Sequence, residues 1–210
     1  MNFRRHRGFS LLELLAAIGI GLTMASVTFM MLMPLFKENH VDQAYDLILS
    51  TLRNYRNQAI AQSDRYVVTF PTNQSMLVQR WGYVPPPGVS PAPVTVATYN
   101  LPQDIQFNVQ AGFPNPGPDS FGSGATAVAF QTSAGVNDTC GVVAAGNPCM
   151  VFYPDGSVQD DSGNFEFGVI YLTPPAGNVY SSRAIDLWGT TGRLRGWRLY
   201  NQSGNKWVQQ

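Results

Sequence analysis

The chain has 210 residues, a formal net charge of zero and only 12% charged residues, so composition gives no global signal for nucleic-acid binding. Three of the 13 basic residues lie within the first seven positions, which leaves the rest of the chain slightly acidic. The 20 glycines and 15 prolines are typical of a β-rich domain with many turns. About 170 residues follow the apolar amino-terminal segment, which is the usual size of one domain.

The amino-terminal segment is basic and then apolar. Arg4, Arg5 and Arg7 precede an apolar run from Leu14 to Met33, about 20 residues, which is long enough to cross a bilayer. Glu13 is the anomaly, because a charged side chain within a membrane segment costs roughly 2.5 to 3.5 kcal/mol. The leader arginines predict a cytoplasmic amino terminus, with the remainder of the chain on the other side of the membrane.

Two simpler interpretations of this segment remain open. A secretory signal peptide would also have a basic start, an apolar centre and small residues such as Ala25 and Ser26 near a cleavage site. An ordinary single-pass anchor would need no special chemistry at Glu13. The length of the apolar run favours a retained anchor over a signal peptide.

The helix is predicted to continue beyond the membrane, to about Gln62. Apolar residues recur there at alternating spacings of four and three, which predicts one buried helical face. These residues are Val41, Tyr45, Ile48, Leu52, Tyr55 and Ala59.

After Gln62 the apolar period becomes that of extended strands. Arg65–Phe70 and Ser75–Trp81 flank a Pro71-Thr72-Asn73-Gln74 turn, which predicts a hairpin. Residues 82–93 and 112–124 are rich in Gly and Pro and predict surface loops, although the proline cluster in the first is also compatible with a partner-binding segment. The other predicted strands are short and antiparallel: 94–100, 105–110, 125–131, 150–153, 165–172, 183–187 and 194–200.

The predicted head offers little catalytic chemistry. His6 lies in the leader and His40 near the membrane, so neither a histidine-based triad nor a transition-metal site can be assembled in the head. We therefore predict no enzyme, no catalytic residue, no metal and no cofactor. Asp155, Asp160 and neighbouring acidic residues suggest either a calcium loop or an ordinary turn, and their spacing does not fit an EF-hand.

Cys140 and Cys149 are the two cysteines of the chain. An oxidising compartment predicts that they form one disulfide closing a small loop, with two free thiols as the alternative.

Gly8, Phe9 and Glu13 resemble the prepilin signature of type IV pilins and pseudopilins. The resemblance implies cleavage between Gly8 and Phe9 by prepilin peptidase and N-methylation of Phe9. It also implies that Glu13 neutralises the terminal amine of a neighbouring subunit within a helical fibre. The partners so implied are other pilins or pseudopilins, the peptidase, an inner-membrane assembly platform and the bilayer.

The carboxyl end resembles one branch of that family. The motif from Gly192 to Arg198 and the turn from Phe152 to Ser157 are similar to the GspH/FimT minor subunits of type II secretion pseudopili and type IV pili. In FimT-like members such arginines are associated with DNA binding during transformation. The resemblance would assign phosphate contacts to Arg193, Arg195, Arg198 and Lys206. The alternative is that such arginines pair with neighbouring carboxylates or support strand packing.

These observations predict an α+β protein of pilin-like fold, in which a long amino-terminal helix packs on an antiparallel β-sheet head. The predicted function is a minor pilin or pseudopilin of the inner membrane, and a DNA-binding minor pilin is the alternative. The predicted regions are a leader at 1–8, a membrane and assembly helix at 9–36, an amphipathic helical half at 37–62, and a periplasmic head at 63–210 with insertions at 82–93 and 112–124.

Overall fold

The computed structural model divides the chain into two units, residues 1–38 and 39–210. It describes residues 10–82, 93–102, 104–122, 124–132, 146–160, 162–175, 178–201 and 204–210, with the backbone only at 31–38. Gly8, Phe9 and Cys140 therefore lie outside the described residues, as does most of the 82–93 insertion.

Helix α1 runs from Leu11 to Gln62, as the sequence predicts. It begins after Ser10, whose carbonyl oxygen accepts hydrogen bonds from the amides of Glu13 and Leu14. A carboxylate in the first turn suits the positive end of the helix dipole. The helix ends before Ser63, where a φ of 54° takes the chain out of the helical conformation.

The second unit places the remaining part of α1 against two antiparallel sheets. The strands of sheet A are β1 Arg65–Thr72, β2 Ser75–Trp81, β3 Val94–Asn100, β6 Cys149–Phe152 and β7 Val158–Gln159. Those of sheet B are β4 Gln106–Phe107, β5 Val128–Thr132, β8 Glu166–Thr173, β9 Arg183–Trp188, β10 Arg193–Asn201 and β11 Asn205–Gln209. Sheet A has the strand order β3-β2-β1-β6-β7, and sheet B has the order β11-β10-β9-β8-β4, with β5 also paired to β8.

The core of this unit lies between the helix and the inner faces of both sheets. All six residues of the predicted helical stripe are buried, and Ile48 and Leu52 are completely inaccessible to solvent. They pack in one cluster with residues such as Val68 of β1, Met150 of β6 and Ile185 of β9. The predicted α+β class and the predicted β1–β2 hairpin are thus confirmed.

The outer face of sheet B is covered by the segment from Gly112 to Gly122. The sequence predicts only a surface loop here, and Asn115 and Pro116 are indeed exposed. Phe113, however, packs against Tyr171 and Trp207, and Phe121 packs against Trp188. We call residues 112–122 the covering segment. It shields aromatic side chains on the outer face of sheet B from water, so that this face forms a second apolar cluster.

Candidate functional site

The amino-terminal part of α1 exposes an apolar surface on every side. Residues Leu11 to Met30 have a mean hydropathy of 1.8, and none of that span is buried within the chain. Leu11, Leu12 and Met30 each expose three-quarters or more of their surface. A helix that is apolar all round and uncovered requires a lipid or protein environment, because water would otherwise solvate a predominantly apolar span of 20 residues.

Glu13 lies in the first turn of this apolar helix. Its side chain is exposed, and it makes no ion pair or side-chain hydrogen bond with any described residue. Its predicted partner, the amine of a processed Phe9, belongs to another subunit and to a residue outside the described part. The assembly role of Glu13 thus stays a prediction.

The four basic residues that the sequence groups together do not form one surface in the structure. Arg193 is exposed and Arg195 is half-buried, and alternation places them on one face of the strand. Arg198 lies on the opposite face, where its guanidinium stands 5.5 Å from the centre of the Tyr200 ring. Lys206 is on β11, paired in register with Tyr200, and lines a different groove.

Arg195 forms an ion pair with Asp119 of the covering segment. Its Nη1 donates to Asp119 Oδ2 at 2.6 Å, and its guanidinium lies 5.6 Å from the Trp188 ring centre. Trp188 Nε1 donates to the same carboxylate oxygen at 3.2 Å. The ring of Trp197, which the sequence places on the same face, is only partly exposed beneath the covering segment. Neither Arg195 nor Trp197 is therefore freely presented to a ligand.

Asp186 lies beneath this ion pair, opposite Arg195 in the β9–β10 register. Its side chain is fully buried, and neither carboxylate oxygen makes a well-aligned hydrogen bond in the described structure. Burial, reinforced by the nearby Asp119 carboxylate, raises the pKa of Asp186 to about 7. Burial acts in the same direction on Asp119, but its hydrogen bonds and the charge of Arg195 outweigh burial and lower its pKa.

A cleft of about 570 Å³ gathers four arginines at the start of β10. Arg53 and Arg56 come from α1, and Arg193 and Arg195 come from β10. The rest of the lining, which includes Asn57 and Thr191, contains no carboxylate. We call this site the arginine cleft.

Arg56 joins the helix to the wall of the cleft. Its Nε donates to the Gly156 carbonyl oxygen at 3.0 Å, and its Nη2 donates to the Thr191 carbonyl oxygen at 2.7 Å. Gly192 makes this approach feasible, because its φ is +58° and a Cβ there would collide with the Gly156 carbonyl. The glycine that precedes Arg193 is thus required by the geometry of the cleft.

Sequence reasoning identified Arg193 and Arg195 but missed Arg53 and Arg56 as members of this site. Both lie on the helix three residues apart, a spacing that brings side chains together on one face. That spacing indicates that the two arginines share a helix face. It does not show which strand packs beside them, because 135 residues separate Arg56 from Thr191.

The remaining candidate residues have structural roles in the described residues. Cys149 is disulfide-bonded and buried, and its pairing with Cys140 stays a prediction because Cys140 is not described. Asp155 accepts hydrogen bonds from Ser157, and Asp160 accepts three from Ser162 and Asn164, so both carboxylates close turns. The described residues contain no group of three or more His, Cys, Asp or Glu that could hold a metal.

Comparison with known proteins places one signature on the chain. The family model of the prokaryotic N-terminal methylation motif matches residues 3–29. No curated protein and no solved structure matches the chain. The match supports a prepilin-type, type IV pilin-like protein anchored by its amino-terminal helix, and it implies assembly with other pilins and processing by a prepilin peptidase. The motif ends before the head begins.

Proposed function

We propose that this chain is a minor subunit of a type II secretion pseudopilus or a type IV pilus. The observation that carries the proposal is that the methylation motif coincides with a helix whose apolar residues are uncovered. Residues 3–29 match the motif, and no part of Leu11–Met30 is buried within the chain. A helix of this kind can first anchor the chain in the membrane and then pack among like helices in a fibre.

The proposed processing follows from the same segment. Cleavage after Gly8 exposes the amine of Phe9, which then becomes methylated. Glu13 lies one helical turn away, so the amine of one subunit can pair with the carboxylate of another in an apolar setting. Such a pair offsets the cost of each isolated charge in that setting. The role of this protein is then structural, with no catalytic residue assigned.

The proposed location is the inner membrane, with the amino end cytoplasmic and the head periplasmic. Arg4, Arg5 and Arg7 support this orientation because positively charged flanks stay on the cytoplasmic side. The disulfide at Cys149 is consistent with a head in an oxidising compartment.

Intact-mass spectrometry of the protein from its own host tests this proposal. We expect the mature chain to begin at Phe9 and to carry one additional methyl group. A Gly8→Val variant should keep Met1 and be absent from sheared fibres, while a Gly19→Val variant should be processed normally. A wild-type chain that retains Met1, or one cleaved near Ala25, would contradict the proposal.

A second candidate function is DNA binding by a minor pilin of the FimT type. The observation that favours it is the arginine cleft, since guanidinium groups bind phosphates and two of the cleft arginines belong to the carboxyl-terminal motif. Replacing Arg193, Arg195 and Arg198 by Gln separates the two functions. Loss of gel-shift binding and of transformation with normal fibre assembly favours DNA binding, and lost assembly with no DNA effect favours the structural function.

A further inference from the structure

Three of the four arginines in the cleft have no acidic partner. Arg53 Nη2 donates to the Leu194 carbonyl oxygen at 3.4 Å, and Arg56 donates only to carbonyl oxygens. Arg193 is exposed on the adjoining strand. None of the three forms an ion pair with a carboxylate in the described part of the chain. Three full positive charges therefore meet in one cleft without neutralisation.

Most carboxylates described in residues 39–210 are engaged within the chain. Three of them pair with arginines, Asp104 pairs with His40, Asp155 and Asp160 close turns, and Glu166 and Asp186 are fully buried. The ion pairs are Asp42 with Arg183, Asp64 with Arg80, and Asp119 with Arg195. The cleft is consequently a poor match for a second copy of this head and a good match for an acidic surface of a different protein.

We propose that the arginine cleft binds a short acidic segment, carrying two or more carboxylates, from a different subunit of the same fibre. This proposal rests on the proposed function as a fibre subunit. Arg53 and Arg193 would contact the incoming carboxylates. Arg56, tied to the turn by two carbonyl oxygens, would hold the wall of the cleft and contribute its charge.

The shape and surroundings of the cleft favour a carboxylate segment over a nucleic-acid strand. Neither Arg198 nor Lys206 lines the cleft, so the basic residues form a local cluster and not a track for a phosphate backbone. Trp188, the aromatic residue in the lining, already stacks edge-on with Phe121 at 5.1 Å and lies beside Arg195.

Charge reversal in the full-length chain, expressed in its own host, tests the proposal. We expect the Arg53→Glu/Arg193→Glu double variant to be incorporated into sheared fibres at least tenfold less than wild type. Lys206→Glu is the matched control, because it reverses an exposed charge outside the cleft, and it should be incorporated normally. Normal incorporation of the double variant would overturn the proposal.

A milder double variant tests the proposal if the charge-reversal variant does not fold. Arg53→Gln/Arg193→Gln removes the charges while keeping polar side chains, and the tryptophan fluorescence of the head reports whether it is folded. We expect incorporation to fall severalfold with an unchanged unfolding midpoint. Incorporation equal to wild type would overturn the proposal.

Photo-crosslinking identifies the chemistry of the partner. A benzophenone amino acid at Asn57, which lines the cleft, should link in fibres to a segment of another subunit that contains at least two Asp or Glu residues. Replacing those residues by Lys should restore incorporation of the double charge-reversal variant. A crosslinked segment without carboxylates, or no restoration, would overturn the proposal.

Two further outcomes separate this proposal from its alternatives. If the double variant enters fibres normally but loses binding to a 30-nucleotide single-stranded DNA, the cleft is a nucleic-acid site and the proposal fails. If the wild-type chain is itself absent from fibres, the proposed function fails, and with it the premise on which the cleft proposal rests.

Discussion

The two halves of helix α1 use apolar residues in opposite ways. In Leu11–Met30 the apolar side chains lie on all sides and none is buried within the chain. From Val41 to Ala59 they form one stripe, and that stripe is buried against the sheets. An apolar stripe can be buried against other parts of the same chain, whereas a helix that is apolar on all sides needs lipid or other helices around it.

The carboxylates of the two regions show the same contrast. Glu13 has no ion-pair or side-chain hydrogen-bond partner among the described residues. Asp186, fully buried in the head, is surrounded by groups of its own chain, and these together with burial set its pKa. Within the described residues, the buried carboxylate of the head is thus surrounded by groups of its own chain, whereas the carboxylate of the apolar helix is exposed.

The largest expected effect on stability comes from truncating a side chain in the buried stripe. Leu52→Ala removes a completely buried side chain and should lower the free energy of unfolding by about 2 to 5 kcal/mol. Leu22→Ala makes the same chemical change in the uncovered half and should alter that free energy by less than about 0.5 kcal/mol. All four tryptophans lie in the head, so urea titration in detergent followed by fluorescence reports on the head alone. Equal effects of the two substitutions would contradict the comparison.

A second test removes the unpaired carboxylate of the apolar half. In the proposed fibre, Glu13→Leu leaves the amine of a neighbouring Phe9 unpaired in an apolar setting, where an isolated charge costs roughly 2.5 to 3.5 kcal/mol. The substitution should therefore reduce incorporation into fibres roughly a hundredfold. The head should unfold at the same urea concentration as wild type. Immunoblots of sheared fibres and of membranes measure the amounts of the subunit in fibres and in the membrane.

Leu14→Val serves as the control for this change, because it lies in the same turn and carries no charge. It should be incorporated normally. If the Glu13→Leu subunit polymerises as well as wild type, the assembly role of this carboxylate is refuted.

The smallest expected effect concerns the buried carboxylate of the head. Since burial raises the pKa of Asp186 to about 7, the folded protein binds a proton that the unfolded chain has released above pH 4. Stability from this group is therefore fully present below about pH 4 and is lost as the pH rises through 7. Wild type should lose on the order of 2 kcal/mol between pH 5 and pH 8.

Asp186→Asn keeps the shape of the neutral carboxyl and removes its titration. The variant should show a flat dependence of stability between pH 5 and pH 8, and it should be more stable than wild type at pH 8. The test measures urea midpoints across that range. A wild-type profile that is already flat would mean that Asp186 does not titrate there.

Periodic features of the chain could be predicted from the sequence alone. The buried stripe of α1, the end of the helix at Gln62 and the β1–β2 hairpin depend on local spacing and turn residues, which are visible in any window of the chain. Most strands were predicted within a few residues for the same reason. Among the described residues, the sequence does not predict β7 Val158–Gln159 and β11 Asn205–Gln209, which are short and carry weak alternation.

The site was less predictable, because its members are distant in sequence. The resemblance to DNA-binding members would present Arg195 to a phosphate, whereas in the structure Asp119 neutralises it at 2.6 Å, in agreement with the alternative of pairing with a neighbouring carboxylate. Arg53 and Arg56 entered the site only because the helix packs beside the start of β10.

The sequence by itself determined that this chain has an apolar amino-terminal helix with a single early carboxylate and an α+β head. Those properties follow from composition and period, which are local. Only the tertiary structure decided which charges are neutralised within the head and which remain free, because ion pairs form between residues that folding brings together from distant parts of the chain. It therefore assigned Arg195 to an internal pair and left Arg53, Arg56 and Arg193 together in an unneutralised cleft.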